Sequence, residues 1–311
     1  PSYQQASFSN TNGDWQLVSV ELDLAAIRQT SQISPNEKLL IHAYDWNESK
    51  SNLQIDAMRF HPSDAFVETY DYDWASMQTI AIDNTNRIHT SYYYDNFQRL
   101  SHIKDFEGNI IGANSYFYKG NSNVENHVKS QVSRVAGKFN VSALNGLSNA
   151  ELTESYDYLD GLGRPIQSVV KGFSPTERDM VTIMEYDQFG RQPKAYLPYV
   201  YSNNNTGSFN SIPTARQSNF YNYQIASESQ SAYPYSETIF EASPLNRPKE
   251  QSSPGDNWQI GSGHTIKTTY ASNNANEVLY LNDQSVNPQY YAPHTLMKVI
   301  TTDPKGRRSI I

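Results

Sequence analysis

An aspartate followed four residues later by an arginine recurs through the chain, and this spacing has two chemical interpretations. Carboxylates in loops are oxygen ligands of the kind that Ca²⁺ prefers, and paired carboxylates also serve in general acid–base catalysis. Aspartate is equally a good first residue of a tight turn, because its carboxylate accepts hydrogen bonds from backbone N–H groups two residues on. The recurrence consists of Asp83 with Arg87, Asp95 with Arg99, Asp160 with Arg164, Asp187 with Arg191 and Asp303 with Arg307.

The fixed offset to arginine favours structural turns over metal-binding or catalytic carboxylates. Glycine stands directly before the arginine at Gly163, Gly190 and Gly306, where it supplies the positive φ that closes a hairpin. The arginine then starts the returning strand, where its guanidinium can bond a carboxylate or the carbonyl groups of a neighbouring turn. A weaker copy of the pattern runs from Asp105 to Asn109.

Other reactive side chains are not arranged for chemistry. The chain has no cysteine, which excludes thiolate nucleophiles, cysteine-ligated zinc, iron–sulfur clusters and disulfides. Its seven histidines lack the two-histidine spacing of a zinc helix, and His264 follows Gly-Ser-Gly without a nucleophile motif around it. We therefore predict no catalytic residue, no cofactor and no metal site, and we expect the protein not to be an enzyme.

Short runs of aromatic and β-branched residues precede most of these turns, and such runs are typical of β-strands. The order strand, turn, strand predicts a series of β-hairpins. A single hairpin cannot bury its own face, so neighbouring hairpins must join in a continuous sheet. The tyrosines that we assign to these repeats are Tyr72, Tyr92, Tyr94, Tyr156, Tyr158 and Tyr186.

The composition of the 311 residues is polar but rich in aromatic rings. Hydrophobic residues make up 37% of the chain, and they include 23 Tyr, 12 Phe and 4 Trp. Because aromatic rings can be buried while their polar tips stay hydrogen-bonded, ring packing between adjacent hairpins can replace a deep aliphatic core. We therefore expect an ordered chain in which Tyr94, Tyr158 and Tyr186 are substantially buried.

Charge and hydropathy argue against two classes of interaction. The net charge is -8, and no block of Lys and Arg with interleaved aromatic residues is present, so nucleic acid is not an expected partner. No window approaches the roughly 18 apolar residues of a transmembrane helix, so no transmembrane segment is predicted.

Two stretches resemble the tyrosine–aspartate (YD) repeats of the RHS family. They are SYYYDNFQRL at residues 91–100 and YDYLDGLGRPIQ at residues 156–167. The strings EYDQFGR at 185–191, YLPY at 196–199 and FEASPLNR at 240–247 are similar to the domain that opens the repeat region in RHS proteins of Bacteroidota.

The resemblance covers about residues 65–120 and 151–311. It departs from the family pattern at three places: Asn86 and Gln98 stand where the turn glycine is expected, and Asp73 has no arginine four residues on.

The chain divides into four regions on these patterns. Residues 1–64 contain three strand candidates, and the last of them is similar to the final strand of a jelly-roll, so we expect the C-terminal part of a β-sandwich there. Residues 65–120 are expected to carry YD repeats, residues 121–150 a linker or a short helix, and residues 151–311 a YD/RHS-like sheet. The helix is suggested by valines at 124, 128, 132 and 135. The expected fold is all-β: a partial jelly-roll-like sandwich, then an antiparallel sheet of hairpins that curls into part of an RHS shell.

The resemblance implies a structural function. RHS shells enclose a cargo, often a C-terminal toxin, and present it at the cell surface in competition between cells. This segment is then expected to be a wall segment of a secreted or cell-surface protein, with the rest of its own chain, shell and cargo, as its partner. Two alternatives stay open: a surface adhesion or glycan-binding module, and an exported protein held by an outer-membrane transport complex.

Asp303 has a second interpretation under this resemblance. RHS proteins commonly end their shell in an autoproteolytic aspartate followed by Pro, a variable residue and Gly, and residues 303–306 have this sequence. The family pattern also has a proline five residues before the aspartate, where this chain has Lys298. We therefore favour an ordinary repeat turn over self-cleavage at Asp303.

Overall fold

A computed structural model describes residues 65–86, 88–120, 125–201, 205–280 and 289–311. The sandwich expected for residues 1–64 and the turn arginine Arg87 lie outside these described residues. The chain separates into two compact units, of which the second comprises Thr69–Asp83 and Arg87–Ile311. In the described part of the first unit, the backbone N–H of Val67 donates to Oγ1 of Thr85 at 2.7 Å. All strands below belong to the second unit.

Ten antiparallel strands form the larger sheet of this unit, and they lie almost entirely in chain order. Tight turns explain this order, because a short turn can only place a strand beside its predecessor. The strands are β1 (Thr69–Asp73), β2 (Gln78–Asp83), β3 (His89–Tyr94), β4 (Leu100–Lys104), β5 (Ile110–Phe117), β6 (His127–Ser133), β7 (Leu152–Leu159), β8 (Pro165–Val170), β9 (Met180–Ile183) and β11 (Tyr199–Val200).

Six antiparallel strands form the second sheet. The chain leaves the larger sheet after β9, contributes the edge strand β10 to the smaller one, and returns to the larger sheet with β11. The strands of the smaller sheet are β10 (Lys194–Tyr196), β12 (Tyr235–Phe240), β13 (Pro248–Gln251), β14 (Ile266–Ser272), β15 (Met297–Thr302) and β16 (Arg308–Ile310). The all-β antiparallel class predicted from the sequence is confirmed for the described residues.

Helical structure is limited to short segments of the described chain. The helix α1 spans Pro213–Asn219 and begins with proline, whose fixed φ suits the first turn. It continues into a wider turn over Phe220–Gln224, and short 3₁₀ turns occupy Val141–Leu144, Ser227–Ser229 and Asp256–Trp258. The sequence analysis did not predict α1.

The valine spacing that suggested a helix within residues 121–150 falls in its described part on the strand β6 (His127–Ser133), and the helical turn of this region lies further on, at Val141–Leu144. A spacing of four residues is even, so Val128 and Val132 share one face of a strand just as they would share one face of a helix. The burial pattern separates the two structures: His127 and Gln131 are buried, while Val132 is 54% exposed. The apolar residues therefore do not mark the buried face of this segment.

Two groups of buried side chains form the core of the larger sheet. One consists of Tyr158, Val169, Val181, Ile183 and Tyr199, and the other of Ile110, Ala113, Leu144 and Leu152. Tyr158 is only 4% exposed, whereas Tyr94 and Tyr186 are half-buried. Aromatic rings therefore occupy core positions in this sheet, and one of the three tyrosines expected to be buried lies fully inside.

Candidate functional site

The turn between β7 and β8 has the geometry that the Asp–Arg turns share. Oδ1 of Asp160 accepts the backbone N–H groups of Leu162 and Arg164, each at 2.9 Å, while Oδ2 accepts Nε of Arg164 at 2.8 Å. The backbone closes the same loop: the N–H of Asp160 donates to the carbonyl of Arg164 at 2.9 Å, and the N–H of Gly163 donates to the carbonyl of Asp160 at 3.1 Å. Both carboxylate oxygens are thus engaged within the turn.

The same hydrogen bonds recur in three other turns, which run from Asp95 to Arg99, from Asp187 to Arg191 and from Asp303 to Arg307. In each, Oδ1 accepts two backbone N–H groups at 2.8–3.0 Å, and Oδ2 accepts Nε of the arginine at 2.6–2.8 Å. Asp303 therefore occupies the same position in its turn as the aspartates of the earlier repeats.

These hydrogen bonds lower the pKa of the turn carboxylates. For Asp95, the largest cause is the hydrogen bond from the Arg99 side chain. For Asp160 and Asp303, it is the backbone N–H of the arginine four residues on. The turn geometry thus stabilises the ionised form of the carboxyl group.

The residue before the arginine has a positive φ in every one of these four turns. It is 79° at Gly163, 77° at Gly190 and 80° at Gly306, and it is 61° at Gln98, where a side chain is present. A left-handed conformation costs a residue with a Cβ roughly 1–2 kcal/mol relative to glycine. Gln98 therefore occupies a strained position that glycine would relieve.

We expect Gln98→Gly to stabilise the protein by about 1 kcal/mol, because the strain released exceeds the extra flexibility of glycine in the unfolded chain. The free energy of unfolding in urea would measure this. Gly163→Gln is the matched reverse change, and it should destabilise by a similar amount. A loss of stability in Gln98→Gly would contradict the strain at this position.

Three further aspartates close turns without a described arginine. Oδ1 of Asp105 accepts the N–H of Asn109 at 2.8 Å, and the Asn109 amide donates to Oδ2 at 2.9 Å. Oδ1 of Asp83, whose Arg87 lies outside the described residues, is 3.0 Å from Nδ1 of His89. Oδ2 of Asp73 accepts the hydroxyl of the serine three residues on at 2.8 Å. At Asp105 an amide and at Asp73 a hydroxyl thus stand where the other turns have the guanidinium.

Turn arginines also pack on aromatic rings that lie in a later strand or, for Tyr186, in the segment just after β9. The guanidinium carbon of Arg99 lies 4.0 Å from the ring centre of Tyr116 in β5, and that of Arg164 lies 4.3 Å from Tyr186. Each tyrosine hydroxyl donates to the carbonyl of the residue after its arginine, at 3.0 Å for Tyr116 and 2.9 Å for Tyr186. We call this arrangement the arginine–aromatic latch. It joins each turn to the strand that follows the hairpin.

The latch continues into the six-stranded sheet. The guanidinium carbon of Arg191 lies 4.6 Å from the ring centre of Phe240 in β12, and its Nη1 donates to Oδ1 of Asn246 at 3.1 Å. The turn that follows β9 is thereby joined to the first hairpin of the next sheet. Phenylalanine supplies the ring here, so the hydroxyl bond of the earlier latches is absent at this turn.

A glutamate–arginine pair closes the turn between β12 and β13. Arg247 donates from Nε and Nη2 to the two carboxylate oxygens of Glu241, each at 2.7 Å, and this pairing lowers the pKa of Glu241 to about 2. The guanidinium carbon of Arg247 lies 4.3 Å from the ring centre of Tyr270. The sequence analysis missed this turn because the pair is six residues apart. A search for acid–arginine pairs of variable spacing between strands would have found it.

The repeat tyrosines of β1, β3 and β7 have different surroundings. Tyr158 is buried, and its hydroxyl donates to the carbonyl of the loop after β11 at 2.6 Å. Tyr156 and Tyr94 are half-buried, and their hydroxyls donate to a glutamate at 2.6 Å and to a β2 carbonyl at 2.7 Å. Tyr92 is half-buried, while Tyr72 is exposed. Hydrogen-bonded hydroxyls accompany the rings that are most enclosed.

We expect alkaline solution to unfold the protein as its buried tyrosines ionise. Burial raises the pKa of Tyr158 and of Tyr199 to about 12, from an ordinary value of 10. Since the folded state holds these protons longer than the unfolded state, the stability they provide is complete below pH 10 and is lost between about pH 10 and 12. The melting temperature should fall over this range. Tyr158→Phe should make the fall shallower, and a melting temperature that is constant up to pH 12 would contradict the expectation.

Asp179 is a fully buried carboxylate that fastens a loop onto the larger sheet. Its side chain has an exposed fraction of 0% and makes three hydrogen bonds to backbone. Oδ1 accepts the N–H of Gly172 at 3.0 Å, and Oδ2 accepts the N–H groups of Thr206 at 3.1 Å and Gly207 at 2.8 Å. The carboxylate thus ties the turn after β8 to the loop that follows β11.

The same loop is held further along by a buried glutamine. Oε1 of Gln167 in β8 accepts the N–H of Asn210 at 2.8 Å, and Nε2 of Gln167 donates to the Asn210 carbonyl at 3.1 Å. The Asn210 side chain donates to the hydroxyl of Tyr199. These residues were not among the predicted site residues, and no local motif marks them, because their partners are distant in the sequence.

Glu154 in β7 lies in a charged cluster next to the second core group. Its Oε1 accepts the Tyr156 hydroxyl at 2.6 Å and Nζ of Lys171 at 3.2 Å, and its Oε2 accepts Nε2 of Gln131 and Nζ of Lys129, each at 2.9 Å. Burial alone would raise the pKa of Glu154, but the hydrogen bonds from Tyr156 and Lys129 and the two lysine charges lower it to about 2. The carboxylate is therefore ionised although its side chain is only 8% exposed.

We expect acid to weaken the protein below about pH 4.5, the ordinary pKa of a glutamate. Because the unfolded state binds the proton first, the stability contributed by Glu154 is complete above that pH and is lost as the pH falls toward about 2. The melting temperature should be flat from pH 6 to about 5 and fall below it. Glu154→Gln should reduce the slope, and an equally steep decline in this variant would show that other carboxylates carry the effect.

Within the described ranges, no group of three His, Cys, Asp or Glu side chains is placed to hold a metal ion. No helix in the same ranges has the length and apolar character needed to cross a membrane.

One protein family, described as a domain of unknown function (DUF6443), has a profile that matches residues 131–272. This range includes Glu154 and Asp179. No curated protein gives a significant match. Among solved structures, the crystal structure of TcdB2-TccC3 is similar at a TM-score of 0.43 and 14% identity, over 78% of this chain and 13% of that chain. The crystal structure of TcdB2-TccC3-Cdc42 is similar at 0.44 and 11% identity, over 78% of this chain and 16% of that chain. This chain thus spans less than a fifth of the length of either.

Proposed function

We propose that this chain is a wall segment of a secreted or cell-surface RHS/YD-repeat protein, whose shell encloses a cargo, such as a polymorphic toxin, carried by the same chain. The observation that carries this proposal is the arginine–aromatic latch, which recurs at Arg99, Arg164, Arg191 and Arg247. A wall made of many hairpins needs a contact that positions each hairpin against the next. The latch supplies such a contact at the turns, where the aliphatic core is thin.

The proposed function is structural and involves no catalysis. Both oxygens of the turn carboxylates are engaged by their own backbone and arginine, as at Asp160. This engagement suits a carboxylate that shapes a turn. The partner of the wall is then the remainder of its own chain, both the further shell and the cargo within it.

Limited proteolysis of the full-length protein would test the wall function. In the intact protein, the cargo region should resist protease, whereas the same region expressed alone should be cleaved. Arg164→Met removes the charge and the hydrogen bonds of one latch while keeping an unbranched stem, so it should expose the cargo to faster cleavage. Arg308→Met in β16 is a matched control that should cleave like the unaltered protein. A cargo region that is cleaved equally fast inside and outside the intact protein would disprove the proposal.

A glycan-binding surface is the second candidate function, and one observation favours it. Trp74, Phe97 and Phe189 are exposed aromatic side chains in turns of the described chain. Aromatic faces can pack on the apolar faces of sugar rings. Saturable binding on a glycan array, lost when these three residues are replaced by alanine, would support this function. An array without saturable binding would remove it.

Retention by an outer-membrane transport complex is a third proposal, which follows from the exported character of the family that the sequence resembles. Native purification from membranes would test it. Recovery of the protein with outer-membrane components would support retention, and recovery only from the medium would exclude it.

A further inference from the structure

The face of the larger sheet that carries Glu154 also carries an open cavity of about 240 Å³. Strand β6, strand β7 and the residue after β8 contribute Lys129, Glu154 and Lys171, respectively, to its lining. The segment between β6 and β7 contributes Leu144 and Asn149. One part of the cavity is therefore charged and another part is apolar. At about 30 Å³ for each water molecule, the space accommodates a ligand of several non-hydrogen atoms.

The charges in this cavity do not balance. Glu154 is the one carboxylate among the described residues that line it, and its two oxygens already accept four hydrogen bonds. Lys129 and Lys171 each use one N–H donor on this carboxylate, and an ammonium group has three. Among the lining side chains, two ammonium groups against one carboxylate leave a surplus of one positive charge, together with unused donors. The buried Asp179 acts electrostatically on Tyr156 in the lining, but it does not line the cavity itself, and its two oxygens are engaged by backbone N–H groups.

If the lysines served only to pair with Glu154 in the folded protein, the second positive charge would not be needed. Lys129 alone, at 2.9 Å, would neutralise Glu154. A second lysine in a partly enclosed site adds a desolvation cost that one shared carboxylate does not fully offset. An anion with free oxygens would balance the charge and accept the remaining N–H donors as charge-assisted hydrogen bonds.

We propose that this cavity binds a small anion through its carboxylate or phosphate oxygens, held between the ammonium groups of Lys129 and Lys171. The apolar side chain of Leu147, which is half-buried in the lining, offers a surface for the carbon skeleton of a carboxylic acid. This site does not depend on the wall function, because its charge surplus is a property of three side chains in one sheet. Failure of the wall proposal would leave it unchanged.

Calorimetric titration of the whole chain with inorganic phosphate and with acetate would test the site, using chloride at equal ionic strength as the reference. Lys171→Met removes the surplus charge and leaves the Lys129–Glu154 pair in place, so the protein should stay folded, with a melting temperature only slightly lowered by the loss of the Lys171–Glu154 contact. Binding in this variant should be at least tenfold weaker. Lys104→Met is the matched control, since Lys104 lies against the Tyr93 ring, 5.3 Å from its centre, and does not line the cavity. It should bind as the unaltered protein does.

Acetylation of the unaltered protein provides a measurement that needs no variant. Phosphate should slow the modification of Lys129 and Lys171, measured by mass spectrometry, and should leave the rate at Lys104 unchanged. The proposal is wrong if neither anion gives a saturable signal, if Lys171→Met binds as tightly as the unaltered protein, or if phosphate affects all three lysines equally.

Discussion

Replacing Gly207 with alanine is expected to lower the melting temperature by about 10 °C, because the new methyl group has no space and the backbone is left-handed at this residue. The φ of Gly207 is 70°, and a Cβ there would overlap the ring carbons of Tyr156. Neither side can move freely, since the Gly207 carbonyl accepts the buried Tyr158 hydroxyl at 2.6 Å and the Tyr156 hydroxyl is bonded to Glu154. The left-handed backbone costs about 1–2 kcal/mol and the overlap about 1–3 kcal/mol more.

Two variants separate these causes. Gly163→Ala has a similar φ of 79° with no atom within 4 Å of the new Cβ, so it should lose only about 1–2 kcal/mol. Tyr156→Ala removes the ring, and adding Gly207→Ala to it should then cost no more than the backbone strain. Thermal unfolding followed by circular dichroism measures the unaltered protein, the three single variants and the double variant. Equal losses for Gly207→Ala and Gly163→Ala would disprove the steric argument.

Asp179→Ala should destabilise the protein by about 3–5 kcal/mol, because it leaves three backbone N–H groups, two of them in buried residues, without this acceptor. The affected groups belong to Gly172, Thr206 and Gly207. The loop after β11 should open first, since two of the three bonds hold it. Urea unfolding would give the free energy, and limited proteolysis would detect new cleavage within residues 205–212.

Asp157→Ala is the matched control, because it changes an aspartate in the adjacent part of the same sheet that is only half-buried. It should change the free energy of unfolding by less than about 1 kcal/mol. Asp179→Asn should lie closer to Asp179→Ala than to the unaltered protein, because an amide NH₂ would face backbone donors. If Asp179→Ala unfolds no more easily than Asp157→Ala, the carboxylate does not hold the loop.

The all-β class was predictable from the sequence because its causes are local. Each hairpin depends on a run of tyrosines, an aspartate that accepts nearby N–H groups and a glycine with positive φ. These residues lie within ten positions of one another, so a short stretch of sequence is enough to predict the hairpin. The structure places Asp95, Asp160, Asp187 and Asp303 in such turns with nearly identical bonds.

The polar groups that hold the sheet and its loops together were not predictable, because their partners are distant along the chain. Asp179 bonds Gly207 across 28 residues, and Gln167 bonds Asn210 across 43. A single sequence gives no sign that such residues meet. The contacts between the latch arginines and their aromatic partners were missed for the same reason, although Arg99, Arg164 and Arg191 were identified as turn residues. The valines of β6 suggested a helix for a different reason: a spacing of four residues places side chains on one face of a strand as well as on one face of a helix.

The order of the strands has a consequence for how the chain acquires its structure. From β1 to β9, every strand pairs with the one made just before it, so the contacts are local and the contact order of this part is low. Folding can therefore proceed vectorially: each strand docks on a finished edge as it emerges during synthesis, without waiting for distant residues. The exchange of β10 and β11 between the sheets interrupts this process. After β9, the first sheet gains no further strand until β11 has been made and pairs with β9. We therefore expect a folding intermediate at this crossover.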